Sequence, residues 1–296
     1  MEMTGMQGSV VALVTPFTED GSIDFGALEG LVDFHLANKT DGILVLGTTG
    51  ESSTMTDEED YEVARTVVER VAGRVPVIGG AGSNSTAESM RKAAGLEKLG
   101  VDGLLLITPY YNKSNEEGIY QHFKYVLDRT GIPSILYNIP GRTGCSISVA
   151  NVARLAAHPN AWGIKEASGN ISYAIDVARY LSDDFHMMSG NDDMVVPIMS
   201  VGGCGVISVW ANCMPAVVHD MCMDYLAGDI EAARTAQLDN LEFIHALFCE
   251  VNPIPVKAAM ARMGLIRERY RQPLWPMAEK SAERLEGAMR GVGLLA

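Results

Sequence analysis

The stretch GILVLGTTGESSTMTDEEDYEVARTVVERVAGRVPVIGGAG, residues 42–82, contains two short apolar runs with a charged, helix-like segment between them. The first run, GILVLGTT (42–49), is nearly continuous in its hydrophobicity, as a strand covered on both faces requires. Thr56-x-x-Glu59 then has the form of a capping box opening a helix. Gly73 and Pro76 punctuate the end of that helix before the second run, PVIGGAG (76–82). The segment reads as strand, helix, strand.

The same unit recurs in both directions. Further strand candidates are VVALVTPF (10–17), GLLLITPYY (103–111), SILYNIP (134–140), WGIKEAS (162–168), FHMMSGN (185–191) and GVISVWAN (205–212). Ser85-x-x-Glu88 and Ser114-x-x-Glu117 repeat the capping-box pattern, and Gly131 with Pro133 repeats the helix stop. In 171–181, Ile171, Ala174, Ile175, Ala178 and Leu181 share one helical face. Eight alternations in about 225 residues predict an α/β chain folded as a (β/α)8 TIM barrel. A doubly wound sheet is the alternative, but no G-x-G-x-x-G follows the first strand. Beyond Gly228 the strand signals stop. The expected organisation is a catalytic barrel over 1–227 and a C-terminal helical extension over 228–296, packed on the barrel without a linker.

A chain of 296 residues, 47% hydrophobic and 20% charged, can bury a large core. Its net charge of -14 argues against nucleic acid or an anionic membrane as partner and leaves small substrates open. The opening MEMTGMQGSV lacks the basic start and apolar centre of a signal peptide. No apolar run approaches the ~20 residues of a membrane span, so a soluble cytoplasmic protein is expected. Five cysteines form no C-x-x-C pair and are expected as reduced thiols. Six histidines lie without metal-ligand spacing, so no metal is expected.

A barrel gathers its chemistry at the carboxyl ends of its strands. Thr48 and Thr49 end the second run, and Tyr110 and Tyr111 end the fourth. Tyr137 and Asn138 lie late in the fifth, with Arg142 in the loop beyond. Lys165 falls within the sixth, Gly190 and Asn191 end the seventh, and Ile207 and Ser208 belong to the eighth. Lys165 is the anomaly, because an ammonium is costly to bury. Adjacent strand residues face opposite ways, so Glu166 is not its side-by-side partner. A lysine whose pKa is lowered by desolvation or a nearby cation can attack a carbonyl and form a Schiff base. The protonated imine is then an electron sink that makes the adjacent carbon acidic. Tyr137, on the neighbouring strand at the same rim, is the candidate proton shuttle. GTTGE (47–51) offers two hydroxyls and backbone N–H groups for a carboxylate, and Arg142 offers a planar fork for a second one.

GTTGES (47–52), YNIPGRTG (137–144), IKEASGN (164–170) and NPIPVKAAM (252–260) together resemble the dihydrodipicolinate synthase family, within the dihydrodipicolinate synthase / N-acetylneuraminate lyase superfamily. The resemblance runs from about residue 7 to the C-terminal helices. It implies a lyase without cofactor that condenses pyruvate with L-aspartate 4-semialdehyde to 4-hydroxy-tetrahydrodipicolinate, the first committed step toward diaminopimelate and lysine. By the resemblance Lys165 forms the imine. Tyr137, Thr48 and Tyr111 relay protons, with Tyr111 supplied by the neighbouring subunit of a tight dimer. Thr48 and Thr49 hold the pyruvate carboxylate, Arg142 receives that of the semialdehyde, and Gly190 and Ile207 line the pocket through backbone groups. A homotetramer, built as a dimer of dimers, is implied. A lysine effector cleft is matched in part, by Ser52, Asn84, Glu88 and Tyr110, whereas Asp57 and Asp60 stand where some sensitive members carry histidines. Ser114 after YYNK, and Asn191 after Gly190, also depart from the common pattern.

Three rivals compete with this reading. Another pyruvate aldolase of the superfamily, an N-acetylneuraminate lyase or a keto-deoxy-sugar-acid aldolase, would share Lys165 and Tyr137, and Arg142 discriminates against it. A catalytically inactive barrel acting as a binding protein is opposed by the intact Lys165, Tyr137, Thr48 and Arg142 set. A pyridoxal-phosphate enzyme also uses a lysine imine, but the chain offers no clear phosphate cradle.

Overall fold

A computed structural model describes Met3 and residues 6–296. Eight parallel strands close into a barrel in sequence order: β1 (Gly8–Ala12), β2 (Gly42–Val45), β3 (Val77–Gly80), β4 (Gly103–Ile107), β5 (Ser134–Asn138), β6 (Ala161–Glu166), β7 (His186–Ser189) and β8 (Gly205–Ser208). Closure comes from β1 pairing with β8, Gly8 opposite Gly205 and Val11 opposite Ser208. Every expected apolar run overlaps a strand, although β1 and β6 begin before their runs, at Gly8 and Ala161, and the TIM-barrel expectation holds. The runs overreach at their carboxyl ends, because the rim loops continue apolar after leaving the ladder.

The near-continuous hydrophobicity has two destinations. Val10, Ala12, Leu44, Ile78, Leu105, Ile135 and Ile207 fill the barrel interior. Val11, Ile43, Val45, Leu104, Leu106, Leu136 and Ile164 alternate with them and pack outward beneath the helices. One register shift interrupts this order: β5 and β6 slip between Ser134 and Ile135, so Ser134 pairs with Ala161 but Ile135 pairs with Gly163. Above the slip, Leu136 faces Ile164, Tyr137 faces Lys165 and Asn138 faces Glu166.

Thr56 and Glu59 form the expected capping box at the helix Asp57–Val71. Ser85 caps the helix Thr86–Lys98, but the Glu88 carboxylate turns to Arg91 instead of back to the cap. The helix expected behind Ser114 starts one residue later, at Glu116, because Asn115 accepts the Gly118 N–H at 2.9 Å. In the helix Ile171–Ala178 the buried stripe is Ala174 and Val177, whereas Ile171 and Ile175 are exposed. Ala178 and Leu181 also pack against the core, so three of the five residues read onto that face reach it, and Ile171 and Ile175 do not.

After the barrel helix Pro215–Ala227 come the helices Ile230–Asp239, Leu241–Ala246, Ile254–Arg262 and Glu279–Gly291. No described helix is long and apolar enough to cross a membrane.

Candidate active site

A cavity of about 350 Å³ opens at the carboxyl ends of the strands. Lys165 and Tyr137 line its floor. They are register partners on β5 and β6, which sets the Lys165 Nζ 4.5 Å from the centre of the tyrosine ring. Glu166 points the other way and accepts hydrogen bonds from Asn138 Nδ2 at 2.8 Å and the Ser168 N–H at 2.7 Å. The strand alternation therefore separates a structural carboxylate from a free amine.

Lys165 is 5% exposed. Burial lowers its pKa to about 8, Asp192 opposes that shift, and Arg142 deepens it. The amine is thus accessible in its neutral form near physiological pH. Burial drives the Tyr137 phenol well above its ordinary value, with Arg142 opposing and Glu166 reinforcing, so it stays protonated. A nucleophilic amine beneath a protonated phenol suits imine formation followed by proton transfer.

Gly190 also lines the cavity, packed so closely on Ala167 and the Lys165 side chain that there is no room for a Cβ. A Cβ there would lie 2.6 Å from the Ala167 Cβ and 3.0 Å from the Lys165 Cε. Thr48 and Thr49 line the cavity beyond Lys165, and Arg142 does so from the short helix Pro140–Thr143 that follows β5. Those expected residues are brought together. Ile207 is not among the lining side chains, and packs inside the barrel instead. Tyr111 is also absent from its own chain's cavity: it is 92% exposed, with φ +66.

A second cavity of about 150 Å³ adjoins the first, sharing Thr48 and Tyr137 and adding Ser52, Lys92 and Tyr110. Two of the residues matched to an effector cleft, Ser52 and Tyr110, therefore border the same space. Glu88 and Asn84 do not line it. The Glu88 carboxylate accepts from Arg91 Nε at 3.0 Å, and Arg91 also meets Asp57 at 2.5 Å. Lys92 meets Asp60 at 3.1 Å, and Ser52 donates to the same carboxylate at 2.9 Å. These carboxylates already hold cations from their own chain.

Several lining residues escaped the sequence reading. Asp192 is 2% exposed and accepts the N–H groups of Val209 at 3.0 Å and Trp210 at 2.9 Å. Burial raises its pKa, and hydrogen bonds from Ser208, Trp210 and Val209 resist that rise. Ile244 and His245 reach the cavity from the helix Leu241–Ala246, and Phe248 and Asn252 from the connection that leads to the helix Ile254–Arg262. Asn252 Nδ2 donates to Thr49 Oγ1 at 3.0 Å, and the Asn252 backbone carbonyl accepts from Arg142 Nη2 at 3.2 Å. Their distance in sequence from the barrel motifs hid them. Asn252 opens the motif NPIPVKAAM, and that membership was the one available signal.

Known proteins resemble the chain along its whole length. A model of the dihydrodipicolinate synthetase family matches residues 5–291. A 4-hydroxy-tetrahydrodipicolinate synthase of Caldicellulosiruptor bescii is 51% identical, over 99% of either chain. A monomeric dihydrodipicolinate synthase variant superposes with a TM-score of 0.97 at 40% identity, over 99% of either chain. The dihydrodipicolinate synthase of Acinetobacter baumannii, solved in complex with pyruvate, superposes with a TM-score of 0.96 at 41% identity, covering 98% of this chain and 100% of the other. With its closed eight-stranded barrel, inward lysine and full-length matches, the chain belongs to the dihydrodipicolinate synthetase family.

Proposed function

We propose that the protein condenses pyruvate with L-aspartate 4-semialdehyde to give 4-hydroxy-tetrahydrodipicolinate, through a Schiff base on Lys165. The observation that carries this reading is the buried, neutral-prone Lys165 amine set against Tyr137 at the floor of the cavity. The amine attacks the pyruvate C2 carbonyl, and loss of water gives the imine. Loss of a methyl proton gives an enamine, whose carbon attacks the semialdehyde's aldehyde carbon, and the aldehyde oxygen takes up a proton. The semialdehyde's own amino group then closes on C2 and expels Lys165. One water is released overall. Tyr137, with Thr48 beside it, handles the protons. The Thr48–Thr49 turn grips the pyruvate carboxylate. A side-by-side assay of pyruvate with aspartate semialdehyde and with sugar aldehydes tests this reading, and turnover of the sugar aldehydes alone would replace it with a sugar-acid aldolase.

Arg142 is the residue in this scheme that answers the semialdehyde's carboxylate. Losing a charge-assisted, two-pronged contact costs about 2–3 kcal/mol. Arg142→Ala should therefore lower kcat/KM for the semialdehyde roughly 30- to 150-fold while leaving the borohydride-trapped pyruvate adduct intact. Unchanged semialdehyde kinetics would refute the role.

Tyr111 enters the scheme from a second subunit of a homotetramer built from tight dimers, and its near-complete exposure on a single chain supports that donation. Mixing Lys165→Ala and Tyr111→Phe chains by unfolding and refolding should then restore activity. In each hybrid dimer, the Tyr111→Phe chain keeps its own lysine and receives an intact tyrosine. If chains pair randomly, recovery should approach about a quarter of wild type, because half the dimers would be hybrids with one good site each. No recovery, with hybrids confirmed by native mass spectrometry, would rule out the shared site. An effector lysine, for its part, would compete with Arg91 for the Glu88 carboxylate.

A further inference from the structure

The segment NPIPVK (252–257) has no task in the condensation described above, yet both of its ends reach the active-site turn. Lys257 is fully buried, and its Nζ lies 2.5 Å from Glu51 Oε1 across 206 residues of sequence. The same ammonium sits 4.3 Å from the centre of the Phe17 ring. Glu51 Oε2 accepts the Arg271 N–H at 3.1 Å, so the carboxylate is held on both oxygens. A buried ion pair contributes little net stability, because desolvating two ions offsets their attraction. Its position suggests another use.

Glu51 closes the GTTGE turn at φ +56, a left-handed conformation that glycine adopts at lower cost. Leu46 flanks the other side of the turn at φ +60. Strained residues of this kind persist where their surroundings over-determine them. Here the surroundings are the Lys257 ammonium at one end of the segment and Asn252 at the other, which donates to Thr49 Oγ1 at 3.0 Å.

We propose that Lys257 and Asn252 are positioning residues: through Glu51 and Thr49 they fix the turn that presents Thr48 and Thr49, and so set the affinity for pyruvate. This rests on the reading of that turn as the pyruvate-carboxylate grip.

The paired substitution Glu51→Gln/Lys257→Met removes both charges, leaves no orphaned ion and keeps an oxygen for the Arg271 N–H. It should raise the pyruvate KM about tenfold and the semialdehyde KM less than about threefold, while the thermal midpoint stays within a few degrees of wild type. Introduced into Thr49→Val, the same pair should add less than about twofold, because part of the grip it aims is already gone. Asn252→Ala should raise the pyruvate KM about fivefold and be non-additive with Thr49→Val in the same way. A purely structural pair would instead lower the thermal midpoint and spare the pyruvate KM. A wild-type pyruvate KM in the paired variant, or effects that multiply undiminished with Thr49→Val, overturns the proposal. If the paired variant does not fold, Asn252→Ala decides alone, and an unchanged pyruvate KM there overturns it. A wild-type enzyme that traps no pyruvate with borohydride would bring down the functional reading itself, and this proposal with it.

Discussion

Lys165→Ala should lose at least about a thousandfold in turnover and all of the borohydride-trapped pyruvate adduct, since no neighbouring group can take over a covalent nucleophile's part. The wild-type protein should gain one reduced pyruvyl group per chain, and peptide mapping should locate it on Lys165. Lys257 is a built-in comparison. It is also buried, but its ammonium is engaged by Glu51 and it does not line the cavity. The pH dependence follows from the sign of the shift. Burial moves the Lys165 pKa down to about 8, so the neutral amine gains on the ammonium as pH rises. About a tenth of the amine is neutral at pH 7, so the rate of adduct formation should climb nearly in proportion to hydroxide below pH 8 and level off above it. A label on another lysine, or one that survives Lys165→Ala, would remove the residue from the mechanism.

Tyr137→Phe is the second large effect, and its pattern differs. The ring, its packing and the contact with the lysine ammonium survive, and only the hydroxyl is lost. Imine formation should slow yet still reach a full label, while kcat for condensation should fall on the order of 10²- to 10⁴-fold, the range of a general acid–base group. Burial holds the phenol protonated well beyond neutral pH, so the part proposed for it is to donate and be reprotonated, not to stand as a phenolate. A variant within threefold of wild type in kcat would show that the protons travel by another route.

The barrel was legible because its parallel strands are buried on both faces and therefore apolar almost without a break. Their boundaries were less legible, since the rim residues Thr48, Tyr110 and Asn191 continue the same runs after the ladder has ended. Lys165 and Tyr137 could be found because a polar residue inside a barrel strand needs an explanation. Asp192 and Asn252 could not be found that way. Each looks like an ordinary loop polar group in sequence, and only folding brings Asn252 onto Thr49, 203 residues away. The effector cleft shows the reverse difficulty. Glu88 matched by position, but pattern matching could not see that Arg91 and Asp57 close a local ion-pair network around it.

The slip between β5 and β6 has a consequence for tolerance to change. β6 spends two residues, Ala161 to Gly163, where β5 spends one, Ser134 to Ile135, yet Tyr137 still faces Lys165 above it. The odd residue is taken up locally, as a bulge takes it up without turning over the strand beyond. The root of β6 therefore acts as a buffer: a miscount there is spent before it reaches Lys165, whose inward face is selected by the hydrophobic pattern of its own strand.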